Sequence, residues 1–252
     1  MGRALFQQAA PFPIAPSDAP DFLMNDIDLV IFDCDGVLVD SEIIAARIEA
    51  DLITKAGYPV TAAEISESYA GLTFRDILIR VEMEARMPFQ ASLIDQAEAA
   101  VDRELRRNVQ AIDGVREAVM SVTTKKCICS NSSSERLDAM LTKVGLKPLF
   151  GEHIFSALDK PVERPKPAPD VFLHAAQKMG ADPKRTFVIE DSVHGIHGAK
   201  GAGMRVIGFT GGSHSYPGHA DLLTEAGAET TIRRWPELKT VLDALALWSD
   251  NA

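Results

Sequence analysis

Residues 29–37 read Leu-Val-Ile-Phe-Asp-Cys-Asp-Gly-Val, and this stretch decides the fold. Its first four residues are apolar and two of them are β-branched, which predicts a strand buried on both faces, as in a parallel sheet. Asp33, Asp35 and Gly36 follow at the end of this strand. Doubly wound α/β folds bind their ligands at the carboxyl ends of such strands. The stretch therefore predicts an α/β protein with two carboxylates at its ligand-binding edge.

Two simpler explanations of these acids fit less well. A polar turn accounts for either aspartate alone, but not for two acids held against a buried strand. A calcium-binding loop should follow a helix and carry its glycine at the sixth position. Crowded carboxylates repel each other unless a cation or a shared proton lies between them. Asp33 and Asp35 therefore indicate a Mg²⁺ site that handles phosphate.

The 252-residue chain has the composition of an ordinary globular protein, with 46% hydrophobic and 25% charged residues. This length accommodates one large domain or two smaller ones. The formal net charge of −10 argues against a broad nucleic-acid-binding surface. An anionic substrate would therefore be attracted by a local cluster and a metal ion. No membrane partner is expected, because no stretch approaches transmembrane length. We expect a monomer or a weak homo-oligomer.

The cysteines and the first residues bear on the cellular location. Three cysteines give no disulfide framework. Cys127 and Cys129 alternate along a predicted strand, so we expect them to behave as small core hydrophobes. Residues 1–26 contain four prolines and no apolar core of a signal peptide, which predicts a flexible N-terminal arm. These features favour a reducing, cytoplasmic location.

Residues 41–110 show a helical pattern without a convincing strand. Thr61 and Glu64 have the spacing of a capping box, and Thr73 begins a similar helix start. A further helix is predicted over residues 92–108. We therefore predict a small helical cap domain inserted after the first strand.

Strands and helices alternate along the rest of the chain. Strands are predicted at residues 126–130, 153–156, 186–190, 205–209 and 229–232, and helices at residues 114–122, 133–144, 169–179, 194–202 and 236–248. Such alternation implies a parallel sheet covered by helices on both faces. Residues 27–40 and 111–252 are thus predicted to form a doubly wound, Rossmann-like α/β core domain.

Hydroxyl groups follow the second strand of this predicted core. Ser130 is its last residue, where its hydroxyl and nearby backbone N–H groups, such as that of Asn131, are suited to receive a phosphate at a helix N-terminus. Residues 132–134 are better explained as an ordinary helix N-cap.

A lysine and two further acids lie at the ends of later elements. A lone loop lysine is normally solvated, but Lys166 stands between Pro165 and Pro167, which restrict its backbone. Glu190 and Asp191 end another buried strand. Together with the first two aspartates and Ser130, these residues predict one site.

In order and spacing, these motifs resemble the four motifs of the haloacid dehalogenase superfamily. The matching segments are Asp33–Val37, Ser130, Lys166 and Glu190-Asp191. The segments Asp40-Ser41-Glu42, Lys166–Asp170 and Glu190–Ser192 resemble in particular the branch that contains phosphoglycolate-phosphatase-like enzymes and β-phosphoglucomutase. The resemblance covers nearly everything from residue 27 onward.

The resemblance implies a two-step phosphoryl transfer. Asp33 would be the nucleophile that forms an aspartyl-phosphate. Asp35 would protonate the leaving oxygen and then deprotonate the water that cleaves the intermediate. Dehalogenases of this superfamily need neither a metal nor the second aspartate, so Asp35 and the Glu190-Asp191 pair favour phosphate esters.

The resemblance also implies the ligands of a metal ion and of the phosphate. Mg²⁺ would be held by Asp33, the backbone carbonyl of Asp35, and Asp191, with Glu190 nearby. The phosphate oxygens would be held by Ser130, Asn131 and Lys166.

Substrate specificity is expected to lie in the cap. Residues 71–76 resemble the cap loop that faces the leaving group, so Thr73 and Arg75 are predicted to contact the substrate. β-Phosphoglucomutases typically carry Ser-Arg after a Gly-x pair, whereas here Phe74 stands at the arginine position. Ala45 stands where mutases present a histidine. The alternative for Arg75 is a solvent-facing position in the first turn of a helix.

The sequence thus predicts a Mg²⁺-dependent phosphatase that acts on a small phosphorylated metabolite, such as a sugar or sugar-acid phosphate. One alternative is a sugar phosphomutase similar to β-phosphoglucomutase. Another is a non-catalytic sensor or phosphoacceptor whose aspartate is phosphorylated without rapid turnover. Such a switch needs neither an inserted cap nor a second aspartate suited to acid–base work.

Overall fold

The molecule is built on one parallel β-sheet. The structure, a computed structural model, describes residues 27–69, 73–86 and 88–248. Its strands are β1 (Leu29–Phe32), β2 (Lys125–Ser130), β3 (Ile154–Ser156), β4 (Thr186–Glu190), β5 (Arg205–Phe209) and β6 (Thr230–Ile232). They run parallel in the order β3-β2-β1-β4-β5-β6. The predicted fold class is confirmed, and the predicted strands agree within one residue at either end.

Helices precede and follow these strands. They are α1 (Glu42–Lys55), α2 (Ala62–Ser68), α3 (Phe74–Ala85), α4 (Ser92–Asn108), α5 (Val115–Ser121), α6 (Ser134–Lys143), α7 (Asp170–Met179), α8 (Val193–Gly201), α9 (His219–Glu225) and α10 (Leu238–Trp248). Helix α9 was not predicted. It has only seven residues, too few for a clear 3.6-residue period, and the glycine before it adopts a left-handed φ of 89°.

The central strand β1 is buried on both faces because its side chains enter two different cores. Val30 and Phe32 join the cluster formed with α5, α6 and α10. Leu29 and Ile31 join the cluster formed with α7, α8 and α9. Each fully buried side chain of this size contributes roughly 1.5–3 kcal/mol. Burial on both faces holds the end of β1, and therefore the acids that follow it, in a fixed position.

Helices α1–α4 share a third core of their own. Ile53, Ile77, Val81 and Leu93 are among its buried members. The predicted capping box at the start of α2 is present, and the side chain of Thr73 caps α3 by accepting a hydrogen bond from Asp76 N. Both helix starts are therefore confirmed.

This helical unit is joined to the sheet domain by two adjacent passages of the chain. Val39 pairs with Ala111 in an antiparallel bridge, and Asp40 N–H donates to the carbonyl of Gln110 at 3.0 Å. An ion pair between Asp102 of α4 and Arg136 of α6, at 2.6 Å, joins the helical unit to the sheet domain at a second place.

Three expectations concern other parts of the chain. All three cysteines are buried and unpaired, and Cys127 and Cys129 share one core, as expected. None of the helices among the described residues is long and apolar enough to span a membrane. The predicted N-terminal arm, residues 1–26, and Gly71-Leu72 of the cap loop lie outside the described residues.

Candidate active site

The acids that follow β1 and β4 meet because these strands are neighbours in register. Phe32 pairs with Ile189, and the N–H of Asp33 continues the pairing to the carbonyl of Ile189 at 3.0 Å. Asp33, Glu190 and Asp191 are all buried, and their ligand atoms lie within 4.8 Å of one another. The predicted convergence of the two acidic strand ends is thus observed.

Lys166 enters this group of acids from the loop before α7. Its Nζ donates to Oδ1 of Asp33 at 2.5 Å, to Oε1 of Glu190 at 2.6 Å and to the carbonyl of Cys129 at 2.8 Å. All three ammonium donors are therefore used. Burial opposes the charge, but attraction to Asp33 and Glu190 and the hydrogen bonds with both outweigh it and raise the pKa of Lys166. Lys166 is thus a permanent cation beside Asp33.

Asn131 sets the position of the lysine loop. Its Oδ1 accepts the main-chain N–H of Lys166 at 2.8 Å, and its Nδ2 donates to the carbonyl of Lys166 at 3.3 Å. The side-chain amide of Asn131 is therefore engaged with the protein on both sides. A contact from Asn131 to a phosphate, as predicted from the sequence, would have to come from its main-chain N–H.

Glu190 is completely enclosed. Oε1 accepts from Lys166, and Oε2 accepts from the main-chain N–H groups of Asp191 and Ser192 and from the Ser192 hydroxyl, at 3.0–3.1 Å. A Cβ atom at Gly195 would lie 1.8 Å from Oε1, so only glycine leaves room for this carboxylate.

The carboxylate of Asp35 is bonded by a set of hydroxyl groups. Ser41 donates to Oδ1 at 2.8 Å, while Ser130 and Ser132 donate to Oδ2 at 3.2 and 2.8 Å. The N-cap of α6 is Ser133, so the expectation of an ordinary N-cap role is wrong for Ser132. The Ser132 hydroxyl reaches Asp35 because β2 lies beside β1 in the sheet.

The excess of negative charge in the site favours the binding of a cation. Burial is the main cause that raises the pKa of Asp33 well above its ordinary value, with further increases from Glu190, Asp191 and Asp35, and Lys166 only partly offsets them. Three buried carboxylates therefore face one ammonium group. Oxygen ligands with excess negative charge are what Mg²⁺ prefers, so the residues present fit the predicted metal.

Asp191 has a partner that sequence reasoning missed. Nε2 of His214 lies 3.0 Å from Asp191 Oδ2, and Nε2 of His219 lies 2.8 Å from the Asp191 carbonyl oxygen. Both histidines belong to the segment that follows β5. His194 and His197, on α8, are exposed.

The two predicted specificity residues lie in the helical unit, at the start of α3. Thr73 is exposed and its hydroxyl is used to cap α3, where it also donates to Oδ2 of Asp76 at 2.6 Å. Arg75 is exposed in the first turn of α3. Its contact with a substrate remains a prediction.

Comparison with known proteins finds relatives that match most of this chain. A curated relative, the 6-phosphogluconate phosphatase of Escherichia coli K12, is 29% identical over 197 residues, which is 77% of this chain and 87% of that protein. A crystal structure of a haloacid dehalogenase-like protein from Agrobacterium tumefaciens C58 has 60% identity and a TM-score of 0.85, covering 87% of this chain and 99% of that one. A hydrolase of the same family from Deinococcus radiodurans R1, with bound phosphate and sodium, has 32% identity and a TM-score of 0.75, covering 88% and 96%.

The family model described as haloacid dehalogenase-like hydrolase matches residues 30–209, which contain all four predicted motifs. Several further curated relatives are also phosphatases by name, which confirms the predicted enzyme class, a phosphoric monoester hydrolase. The chain belongs to the haloacid dehalogenase-like hydrolase family.

Proposed function

We propose that this protein is a Mg²⁺-dependent phosphatase that hydrolyses a small sugar or sugar-acid phosphate through an aspartyl-phosphate on Asp33. One observation carries the proposal. Asp33 is buried 2.5 Å from Lys166 and grouped with Glu190 and Asp191, while Asp35 stands apart among hydroxyl groups. Two carboxylates in such different environments suit two different chemical roles.

The relatives support the substrate class. The curated relative from Escherichia coli acts, by its name, on a sugar-acid phosphate, and the Deinococcus structure holds both a phosphate and a cation. By transfer from these relatives, the substrate here is a phosphorylated sugar or sugar acid.

In the first step, a carboxylate oxygen of Asp33 attacks phosphorus, and the bond to the leaving oxygen breaks. Lys166 favours the ionised form of this carboxylate by its charge and its hydrogen bond, and so offsets part of the effect of burial. The main-chain N–H of Asn131 holds a phosphate oxygen at the start of α6, where the helix N-terminus favours negative charge. The Ser130 hydroxyl holds a second phosphate oxygen by turning its proton away from Asp35.

Asp35 handles the protons of both steps. It donates a proton to the leaving oxygen as that bond breaks, and it then takes a proton from the water that attacks the phosphoenzyme. The hydroxyls of Ser41 and Ser132 hold its carboxylate in place. Positioning and charge stabilisation are most of what phosphoryl transfer requires from a protein.

Asp33, Asp191 and the backbone carbonyl of Asp35 would hold Mg²⁺, with Glu190 beside them. When bound, the ion neutralises negative charge on the transferring phosphate. Since both oxygens of Glu190 are occupied by hydrogen bonds, this residue would act mainly by fixing Lys166 and the Asp191 backbone.

A panel of phosphorylated metabolites, assayed for released phosphate with and without Mg²⁺, tests this function. We expect Mg²⁺-dependent release that is highest with sugar and sugar-acid phosphates. Isomerised sugar phosphate without released phosphate would instead identify a mutase, and a stable phosphoenzyme without turnover would identify a phosphoacceptor.

A further inference from the structure

The side chain of His214 lies against Asp191 in an enclosed position. Their side chains are only 13% and 8% exposed, and Nε2 lies 3.0 Å from Oδ2. An ionised carboxylate can only accept, so Nε2 carries the proton of this hydrogen bond. Within the described residues, the buried Nδ1 has no hydrogen-bond partner. Asp191 is thus the one polar group among them to which the ring is bonded.

Two glycines make room for this pair. A Cβ atom at Gly36 would lie 1.9 Å from Asp191 Oδ2 and 2.8 Å from Cε1 of His214. A Cβ atom at Gly212 would lie 2.6 Å from Nδ1 of the same ring. A side chain at either position would displace the imidazole or the carboxylate, so the local backbone is suited to their contact.

Hydrogen bonds fix the chain on both sides of His214. The N–H of Ser213 donates to Oδ1 of Asp40 at 2.9 Å, and the Ser213 hydroxyl bonds the other oxygen of the same carboxylate. His219 reaches the main-chain carbonyl of Asp191, and Ser215 bonds the other nitrogen of that ring. The position of His214 is therefore set by its neighbours before any metal binds.

The charges around the imidazole favour its donor role. Asp191 and Asp40 act on His214 as negative neighbours, and the ring of His219 lies 5.6 Å away, edge to face. Ligating carboxylates in metal sites are themselves hydrogen-bonded, and loss of such a partner typically costs about 10–100-fold in metal affinity or activity.

We propose that His214 is a positioning residue that orients the Asp191 carboxylate for the divalent cation by donating a hydrogen bond from Nε2. This inference rests on the proposed function, because it assumes that Asp191 is a metal ligand. It adds a residue that lies outside the four motifs and outside residues 30–209.

Direct metal binding provides the test. Mn²⁺, a paramagnetic substitute for Mg²⁺, is titrated into the metal-free protein, and the free ion is measured by electron paramagnetic resonance. We expect His214→Ala and His214→Phe to weaken Mn²⁺ binding about 10–100-fold. His214→Gln, whose amide nitrogen can replace Nε2, should stay within about threefold of the wild type. His197→Ala, on the exposed face of α8, serves as the matched control and should bind like the wild type.

The variants separate this role from packing and from the proposed function. Unchanged or tighter Mn²⁺ binding by His214→Phe would overturn the inference. Tighter binding would mean that His214 competes with the cation for Asp191. Thermal unfolding of the metal-free variants identifies any that fail to fold. If His214→Ala fails to fold, His214→Phe, which keeps an aromatic ring at this position, provides the test. A wild-type protein that binds no Mn²⁺ would overturn the metal site itself, and with it the role of His214.

Discussion

The ammonium group of Lys166 lies 2.5 Å from Oδ1 of Asp33, and both side chains are almost completely buried. The same group bonds Glu190 at 2.6 Å. Removing one partner of a buried pair leaves an uncompensated charge and typically costs about 3–5 kcal/mol. We therefore expect Lys166 to affect both stability and activity.

Lys166→Met should abolish phosphatase activity and lower the free energy of unfolding of the metal-free protein by about 3–5 kcal/mol. The double variant Lys166→Met/Asp33→Asn should recover part of that loss, because it also removes one of the stranded carboxylates. Urea unfolding measures the free energy of unfolding of the single and the double variant. The control is Lys55→Met, at an exposed ion pair, which should change stability little. A double variant no more stable than Lys166→Met would show that the pair contributes no coupled charge interaction.

Removal of the metal should abolish turnover. We expect a chelator to stop phosphate release and Mg²⁺ to restore it, because three buried carboxylates face a single lysine. Ca²⁺ should inhibit, since its looser and higher coordination disturbs in-line attack. Full activity in a preparation that metal analysis finds empty would contradict the mechanism.

Asp33→Asn and Asp35→Asn should fail at different steps. The first removes the nucleophile, so no phosphoenzyme should form. The second removes the proton donor and acceptor, which typically costs about 10²–10⁴-fold in rate, while a phosphoenzyme can still form slowly. Acid quenching with a labelled substrate separates the two, and a normal phosphoenzyme level in Asp33→Asn would identify a different nucleophile.

Arg75→Ala tests the cap. Arg75 is exposed at the start of α3, and its planar donors suit a carboxylate or hydroxyl cluster on the leaving group. We expect kcat/KM for the best sugar phosphate to fall by roughly 10-fold or more, as for loss of a charged hydrogen bond of about 1.5–3 kcal/mol. Hydrolysis of p-nitrophenyl phosphate should hardly change. Arg107→Ala, exposed on α4, is the control, and equal losses on both substrates would mean that Arg75 only supports the cap.

The buried carboxyl group of Glu49 should make the stability of the folded protein depend on pH. Burial raises the pKa of Glu49 from 4.5 to about 7. As the pH rises through this window, the unfolded chain releases the proton that the folded protein retains, so the folded state loses stability, and the loss is complete above about pH 7. Glu49→Gln should therefore be more stable than the wild type at pH 8, by at most about 3 kcal/mol, with a much smaller difference at pH 5.

Calorimetric melting at the two pH values measures this difference. Glu98→Gln, at an exposed position of α4, should show no comparable pH-dependent gain. An equal gain at pH 5 and pH 8 would rule out the titration of Glu49 as its cause.

The sheet and its acidic edge could be predicted because their signals are local. Buried apolar runs marked the strands, and register then brought Asp33 beside Glu190 and Asp191 without further information. His214 could not be predicted, because no local pattern indicates that a loop after β5 returns to the end of β4. Ser132 was assigned to a cap for the same reason, since its partner Asp35 is 97 residues away.

The bridge between Val39 and Ala111 has an evolutionary consequence. Both ends of the four-helix insertion leave the sheet domain side by side, and of its four helices, as far as the structure describes them, only α1 and α4 add side chains to the core beside the sheet. A change in the length of α2 or α3 would therefore leave the register of every strand unchanged. We therefore expect α2 and α3 to differ more among relatives than the strands and the acids that follow them.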